Sequence, residues 1–215
     1  MLRLKLKHQT SIMKLVFATS NQNKANEIQQ LVPDFFQILT LNDINQIEEI
    51  PETSDTIEGN AIQKMEYIVT NFGMDCFADD TGLEIESLNG EPGVYSARYA
   101  GEEKNADNNM NLVLRKMQGM SNRKARFKTV ISLSLNGENY LFEGIVNGEI
   151  RHEKVGDAGF GYDPIFEPEK AGKTFAEMNT IEKNQMSHRA RAFKKMVDFL
   201  AEYNQNDNGE KQQTI

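Results

Sequence analysis

The sequence has a single cysteine, Cys76, so no disulfide can form within the chain. It also has no run of the roughly 18 to 20 apolar residues that a membrane-spanning helix needs. Basic side chains are in the minority, with 24 Lys and Arg against 32 Asp and Glu, whereas proteins that bind nucleic acid polymers usually carry a basic surface. These absences argue against a disulfide scaffold, a membrane protein and a nucleic-acid-binding module, and they favour a reduced, cytoplasmic setting.

The length of 215 residues, of which 39% are hydrophobic, suits one globular domain with an ample core. Residues 1–12 are rich in basic side chains but contain no long apolar segment and no small-residue cleavage site, which argues against a secretory signal. We expect residues 1–12 to be an N-terminal extension outside the fold and residues 13–203 to form a single domain. Residues 204–215 are polar and aperiodic, which predicts a disordered tail.

The beginning of this domain predicts a strand, a polar turn and a helix. Residues 14–19 are strand formers, residues 20–23 are turn-prone, and residues 24–31 have helical spacing of apolar positions. This order places backbone N–H groups and a helix N-terminus at the end of a strand, an arrangement that binds phosphate. The glycine-rich signature of a P-loop is absent. An ordinary strand-to-helix connection with an Asn cap explains the same spacing.

Two adjacent carboxylates, Asp79 and Asp80, follow the short apolar segment 76–78 and precede a hydroxyl and a glycine. We expect a sharp turn here, with a second strand starting at Leu83. Neighbouring carboxylates repel each other, and a divalent metal that also carries phosphates would balance their charge. A polar β-turn is the simpler explanation of these residues taken alone.

A long helix and a long β-hairpin are predicted further along. Residues 55–72 have one apolar stripe, begin with a possible capping box at Asp55, and stop at a glycine. Asn60 and Lys64 lie a turn apart and off this stripe, so they could face a cleft, although a lysine on an amphipathic helix more commonly faces solvent. Strand-like residues 125–135 and 139–146 are joined by Asn-Gly, and a second Asn-Gly at residues 147–148 predicts another reversal.

The last third of the domain holds a glycine-rich segment and a helix start. Residues 156–162 contain three glycines and two aromatics, which would allow close backbone approach and offer a face to a planar base. Asp163 could accept hydrogen bonds from a base or a ribose, although a glycine-rich turn is a competing explanation. Ser187 is a natural N-cap, so His188 and Arg189 would lie in the first helical turn, where they could contact a planar, carbonyl-bearing ligand. A histidine in that position is more often structural or exposed.

Taken together, four blocks resemble the inosine triphosphate pyrophosphatase family, the noncanonical purine nucleoside triphosphate pyrophosphatases. Each block alone is a weak or moderate signal, but four in the family's order with compatible spacing are specific, and the match spans residues 13–203. Thr81 replaces the commoner serine and keeps the hydroxyl. The blocks are Thr19 to Lys24 (T-x-N-x-x-K), Ala78 to Leu83 (A-D-D-[ST]-G-L), Gly159 to Pro164 (G-F-G-Y-D-P), and Glu182 to Arg189 (E-K-x-x-x-S-H-R).

The resemblance implies an α/β fold with an elongated, mixed central β-sheet flanked by helices, in two lobes with a nucleotide cleft between them. It also implies a homodimer. The implied reaction is Mg²⁺-dependent hydrolysis between the α and β phosphates of ITP, dITP and XTP. The products are the monophosphate and pyrophosphate, and the nucleotide pool is thereby cleansed.

The same resemblance assigns roles to residues. Asp80 matches the family's general base. The expected metal ligands are Asp80 and Glu52, and Glu48 and Glu49 are alternatives to Glu52 because they lie close to it in sequence. Lysines would balance the triphosphate charge. Hydrogen-bond donors on the last helix would pair with a carbonyl at position six of the base, and they would be left unpaired by the six-amino group of adenine. An aromatic ring, Phe160 or Tyr162, would stack on the base. The expected substrate-binding residues are Thr19, Ser20, Asn21, Gln22, Asn23, Lys24, Lys64, Thr81, Phe160, Gly161, Tyr162, Asp163, Lys183, His188 and Arg189.

Two other functions stay open at this point. One is a house-cleaning pyrophosphatase for other modified nucleotides, such as methylated pyrimidines. The other is a nucleotide sensor without turnover, against which the intact Asp79-Asp80 pair and the lysines argue. The sequence leaves undecided the ranking among ITP, dITP and XTP, the number of metal ions, and how xanthine is admitted while guanine is excluded.

Overall fold

The computed structural model describes residues 12–210, with side chains described up to residue 204. Within residues 12–210 the chain forms one seven-stranded sheet and five α-helices, none of which is long and apolar enough to cross a membrane. The strands are Met13–Phe17 (β1), Phe36–Leu39 (β2), Cys76–Ile85 (β3), Pro92–Gly93 (β4), Lys124–Leu135 (β5), Glu138–Ile150 (β6) and Phe166–Pro168 (β7). The helices are Gln22–Gln29 (α1), Ile57–Phe72 (α2), Ala106–Lys116 (α3), Thr180–Met186 (α4) and His188–Glu210 (α5).

The sheet is mixed, as expected. Its strand order is β2-β1-β3-β5-β6-β7, with the short β4 paired to β3 off this path. Strand β1 is parallel to both β2 and β3, whereas all other pairs are antiparallel. The prediction of an α/β fold with a mixed central sheet and flanking helices is therefore confirmed.

The long strands β3 and β5 pass through two packed regions. At one end, Leu83 and Phe127 pack in a core with residues of α3. At the other end, Phe77 and Ile131 pack in a second core with residues of α5. The middle of β3 lies between these cores, so its side chains are positioned at the boundary between them.

Alternate side chains of β3 project from opposite faces of the sheet. Phe77 packs toward α5, with its ring centroid 6.2 Å from that of Phe193, whereas Ala78 packs toward α2. The pleat therefore directs Asp79 to the α5 face and Asp80 to the α2 face. The two adjacent carboxylates have different surroundings for this reason.

Two predicted reversals are wrong. Asp79 and Asp80 lie inside the continuous strand β3, because every residue of the strand is in register with β5, from Cys76 opposite Ser134 to Ile85 opposite Ala125. This pairing outweighs the local turn preference of the sequence. The second reversal also falls inside a strand, since β6 continues to Ile150. Gly148 serves close strand packing there, because a Cβ atom would lie 2.2 Å from the carbonyl oxygen of Glu167.

The predicted helix boundaries differ in detail from those observed. Helix α2 is capped by Thr56, whose hydroxyl accepts from the Gly59 N–H at 2.9 Å, and not by Asp55. It ends at Gly73 in the left-handed conformation, as the pattern predicts. Helix α5 extends to Glu210, so residues 204–210 are helical where we expected a tail. Residues 1–11 and 211–215 lie outside the described range, so the expectations for them are not addressed by the structure.

Candidate active site

A cavity of about 450 Å³ lies beside the middle of β3, and it brings the sequence-predicted residues together. All of them contribute to its lining except Gln22, whose exposed amide donates instead to Asn26 Oδ1 at 2.8 Å. The predicted residues in the lining are Thr19, Ser20, Asn21, Asn23, Lys24, Glu52, Lys64, Asp80, Thr81, Phe160, Gly161, Tyr162, Asp163, Lys183, His188 and Arg189.

The start of α1 forms one wall of this cavity. Asn21 is the N-cap, and its Oδ1 accepts from the backbone N–H groups of Asn23 and Lys24 at 3.0 and 3.2 Å. Lys24 therefore lies in the first helical turn, as predicted, and its Nζ is 3.1 Å from Asp79 Oδ1. Burial lowers the pKa of Lys24, with Asp79 acting in the opposite direction. The dipole of α1 disfavours a positive charge at this position, whereas the Asp79 carboxylate stabilises it.

A buried ion network lies on the α5 face of β3. Arg189 donates from Nε to Asp79 Oδ2 at 3.2 Å and also pairs with Glu27 of α1. Lys183 is 2.7 Å from Glu27 Oε1 and 2.6 Å from Asp163 Oδ2. Burial opposes the negative charge of Glu27, yet Arg189 and Lys183 together hold its pKa below the usual value. Elements distant in sequence are thereby joined through charge-assisted hydrogen bonds.

The α2 face carries the second carboxylate of the doublet. Asp80 lies 3.7 Å through Oδ1 from Lys64 Nζ and accepts from Asn60 Nδ2 at 3.4 Å. Lys64 also pairs with Glu52, which is the more exposed partner. Burial raises the pKa of Asp80, although Lys64 and Lys24 act against that rise. Lys64 thus faces the cleft rather than solvent, and Asp80 is a cavity-facing carboxylate with enhanced basicity.

His188 follows the Ser187 cap and is almost completely buried at the edge of the cavity. Its Nδ1 is 2.6 Å from Thr129 Oγ1, and its ring stacks on Phe127 with centroids 4.6 Å apart. Burial lowers the pKa of His188 well below 6.5, and the Arg189 charge lowers it further. The imidazole is therefore neutral near pH 7.

The glycine-rich segment forms another part of the cavity wall, through residues 160–163. Asp163 Oδ2 accepts from the Phe160 backbone N–H at 2.8 Å and from Lys183, so this carboxylate holds its own loop together. A Cβ atom at Gly159 would lie 2.1 Å from that oxygen, and its φ of +75° also favours glycine. Tyr162 is buried and donates to the Ser96 carbonyl at 2.8 Å. Phe160 is only partly buried, with Lys183 Nζ 4.7 Å from its ring centroid.

Two residues at the site, Glu27 and Thr129, were not identified from the sequence, and Asn60 was identified only as a residue that could face a cleft. Glu27 binds both Lys183 and Arg189, Thr129 contacts His188, and Asn60 contacts Asp80. Glu27 lies beside the apolar position Ile28, and no sequence signal separates it from a solvated glutamate. Asn60 lies one turn before Lys64 and off the apolar stripe of α2, and its contact with Asp80 agrees with the expectation that it could face a cleft.

Residues 12–210 contain no group of three or more His, Cys, Asp or Glu side chains arranged to hold a metal ion. Glu52 and Asp80 both face the cavity and share Lys64 between them. The ion pairs form two clusters, of which one contains three carboxylates and three cations (Glu27, Asp79, Asp163, Lys24, Lys183, Arg189). The other contains two carboxylates, Glu52 and Asp80, and one cation, Lys64. A site with this balance suits a ligand that brings a cation with it.

A mixed α/β fold whose central cavity combines a helix N-terminus, lysines and cavity-facing carboxylates offers the kind of site that suits a phosphorylated small molecule. The model of the Ham1 family matches residues 15–199. The chain belongs to this family, and the family resemblance predicted from the four blocks is confirmed.

Individual relatives are similar over almost their whole length. The dITP/XTP pyrophosphatase of Flavobacterium johnsoniae is 58% identical over 188 residues, covering 87% of this chain and 98% of that protein. The dITP/XTP pyrophosphatase of Porphyromonas gingivalis is 48% identical, covering 87% and 97%. Among solved structures, the Ham1 protein of Staphylococcus aureus has a TM-score of 0.81 at 40% identity, covering 88% of this chain and 99% of that one. A HAM1 protein from Coxiella burnetii has a TM-score of 0.82 at 35% identity, covering 88% and 99%.

Proposed function

We propose that this chain hydrolyses noncanonical purine nucleoside triphosphates (ITP, dITP and XTP) to the monophosphate and pyrophosphate, and so cleanses the nucleotide pool. The observation that carries the proposal is the convergence of four separate sequence blocks on one cavity in a Ham1 family member. Relatives that bear the name dITP/XTP pyrophosphatase support the same activity.

The lysines supply charge for the triphosphate. Lys24, Lys64 and Lys183 come from different elements, yet all line the same cavity. A nucleoside triphosphate carries roughly three to four negative charges near neutral pH, so phosphoryl transfer depends on several cations held in fixed positions. Each lysine is held by a carboxylate, and a bound phosphate would compete for it with that carboxylate.

Asp80 is the general base in this proposal. The Asp80 carboxylate lies in the cavity lining, where it can accept a proton from a water molecule beside the substrate. Asn60 and Lys64 orient it from α2. Asp79 takes no part in proton transfer, because Lys24 and Arg189 occupy its oxygens on the other face.

Glu52 and Asp80 fit a divalent cation, because both face the cavity and the cluster that they form with Lys64 has one carboxylate in excess of its cation. Mg²⁺ held there would neutralise phosphate charge and increase the acidity of bound water. The proposal also includes a homodimer and the cytoplasmic location expected from the sequence.

Base selection would depend on α5 and the glycine-rich segment. The Nε2 atom of His188 has no hydrogen-bond partner among the described residues and is available to the base. Arg189 also lines the cavity, although its Nε, NH1 and NH2 groups already donate to Asp79, Glu27 and Thr81. Phe160 is the more accessible ring for stacking, since Tyr162 is buried and bonded to Ser96.

The test is a panel of triphosphates incubated with the full chain, with and without Mg²⁺. The panel contains ITP, dITP, XTP, ATP, GTP, dUTP and a methylated pyrimidine triphosphate, and the released ion is identified as pyrophosphate or orthophosphate. Preferential release of pyrophosphate from ITP, dITP and XTP supports the proposal. Preference for a pyrimidine would indicate a different house-cleaning enzyme, and binding of ITP without hydrolysis would indicate a sensor.

A further inference from the structure

Thr129 lies behind the cavity wall. It is completely buried on β5, directly opposite Thr81 of β3, and does not belong to the cavity lining. Its Oγ1 is 2.7 Å from Thr81 Oγ1 and 2.6 Å from His188 Nδ1. One hydroxyl therefore connects a cavity-lining histidine to the interior of the protein without contacting the cavity.

The direction of these hydrogen bonds depends on which acceptor takes the proton of the Thr81 hydroxyl. A guanidinium group only donates, and its NH2 is 3.3 Å from Thr81 Oγ1, so that oxygen accepts there. The single Thr81 proton can go to Thr129 at 2.7 Å or to Asp79 Oδ2 at 3.4 Å, and the shorter contact makes the better hydrogen bond. With the Thr81 proton on this shorter contact, Thr129 Oγ1 accepts from Thr81, and the Thr129 proton is directed to Nδ1 of His188.

We propose that Thr129 is a positioning residue that fixes the tautomer of His188 and thereby determines base specificity. Because Nδ1 accepts from Thr129, the proton of the neutral imidazole is on Nε2. This inference rests on the proposed function for its ligand: His188 would meet the base as a donor, which pairs with a six-carbonyl and is left unpaired by the six-amino group of adenine. Stacking on Phe127 holds the ring in this orientation.

The first test reads the tautomer directly by ¹⁵N NMR of the histidine side chains in the full chain without nucleotide. The sequence contains three histidines, so His8→Gln and His152→Gln assign the signals. We expect His188 to have a protonated Nε2 and an unprotonated Nδ1. The opposite tautomer would overturn the proposal. This measurement needs no turnover, so it stands even if the chain does not hydrolyse ITP.

The second test compares Thr129→Val, which removes the hydroxyl at similar volume, with Thr129→Ser, which keeps it. The ratio of kcat/KM for ITP to that for ATP should fall about tenfold or more in Thr129→Val, the loss expected for one hydrogen bond. It should stay within about threefold of the parent ratio in Thr129→Ser. An unchanged ratio in a folded Thr129→Val protein contradicts the proposal. If circular dichroism shows that Thr129→Val does not fold, the parent tautomer and the Thr129→Ser ratio decide.

Discussion

Asp79 and Arg189, 110 residues apart in the chain, are joined by a buried ion pair in which Arg189 Nε lies 3.2 Å from Asp79 Oδ2. Their side chains are only 1% and 3% exposed. The pair connects β3 to the first turn of α5, which also carries His188. Asp79 therefore holds the base-reading end of the proposed site in place.

The Asp79→Asn substitution should destabilise the protein severely. It removes one charge and leaves Arg189 and Lys24 buried without their shared carboxylate, and breaking a buried pair in this way typically costs about 3–5 kcal/mol. Urea unfolding at neutral pH measures the loss. Asp198→Asn is the matched control, because its partner Lys194 is exposed, and it should have a far smaller effect. Equal losses in the two variants would contradict the prediction.

The stability contributed by Glu27 should depend on pH. Its folded-state pKa is lowered from 4.5 because Arg189 and Lys183 outweigh the effect of burial. As the pH falls, the unfolded chain therefore takes up the proton first, so the contribution is present above about pH 4.5 and is lost as the pH falls through the lowered pKa. The difference in unfolding free energy between the parent and Glu27→Gln should be largest near neutral pH and should shrink as the pH falls below about 4.5. A difference independent of pH would count against this account.

The Asp80→Asn substitution should remove most turnover while ITP binding stays measurable. Loss of a general base typically lowers kcat by about 10²–10⁴-fold. Pyrophosphate release gives kcat, and equilibrium titration with ITP gives binding. Asp157→Asn, at an exposed position of the glycine-rich segment outside the cavity lining, is the control and should keep parent activity. Near-normal activity of Asp80→Asn would exclude Asp80 as the base.

The Phe160→Ala substitution should weaken nucleotide binding through loss of stacking. Base stacking on an aromatic ring is worth about 1–3 kcal/mol, which corresponds to an increase of roughly 5- to 150-fold in the dissociation constant. Titration of ITP into the parent, Phe160→Ala and Phe160→Tyr measures the effect. The tyrosine variant keeps a ring and should bind nearly as tightly as the parent. If alanine and tyrosine behave alike, the base stacks elsewhere.

Much of the site could be predicted because its residues lie in short blocks whose local structure is simple. The Asn21 cap, the Ser187 cap and the Gly73 stop follow from rules that concern a few neighbouring residues. The family resemblance then joined blocks that are distant in sequence. The confirmed family and mixed sheet rest on this combination.

Other features could not be predicted because they depend on tertiary pairing. The residues of the Asp79-Asp80 segment prefer a turn locally, and only their pairing with β5 makes them a strand. Glu27 becomes an interior ligand for two cations only when α1, α4 and α5 meet. The expectation of a disordered tail was wrong for residues 204–210. These residues have no apolar stripe that would predict a helix, yet helix α5 continues through them to Glu210.

The pleat of β3 makes a doublet of identical residue types chemically unequal. Asp79 belongs to the interior scaffold and Asp80 to the reacting surface, and no conformational change is needed to distinguish them. A shift in the register of this strand by one residue, through an insertion or deletion of one residue near Cys76, would turn Asp79 to the α2 face and Asp80 to the α5 face. It would also turn the apolar side chains of the strand away from their cores. The aromatic packing around Phe77 therefore protects the chemistry as well as the fold, since it penalises a slip that would turn Asp79 and Asp80 to the wrong faces.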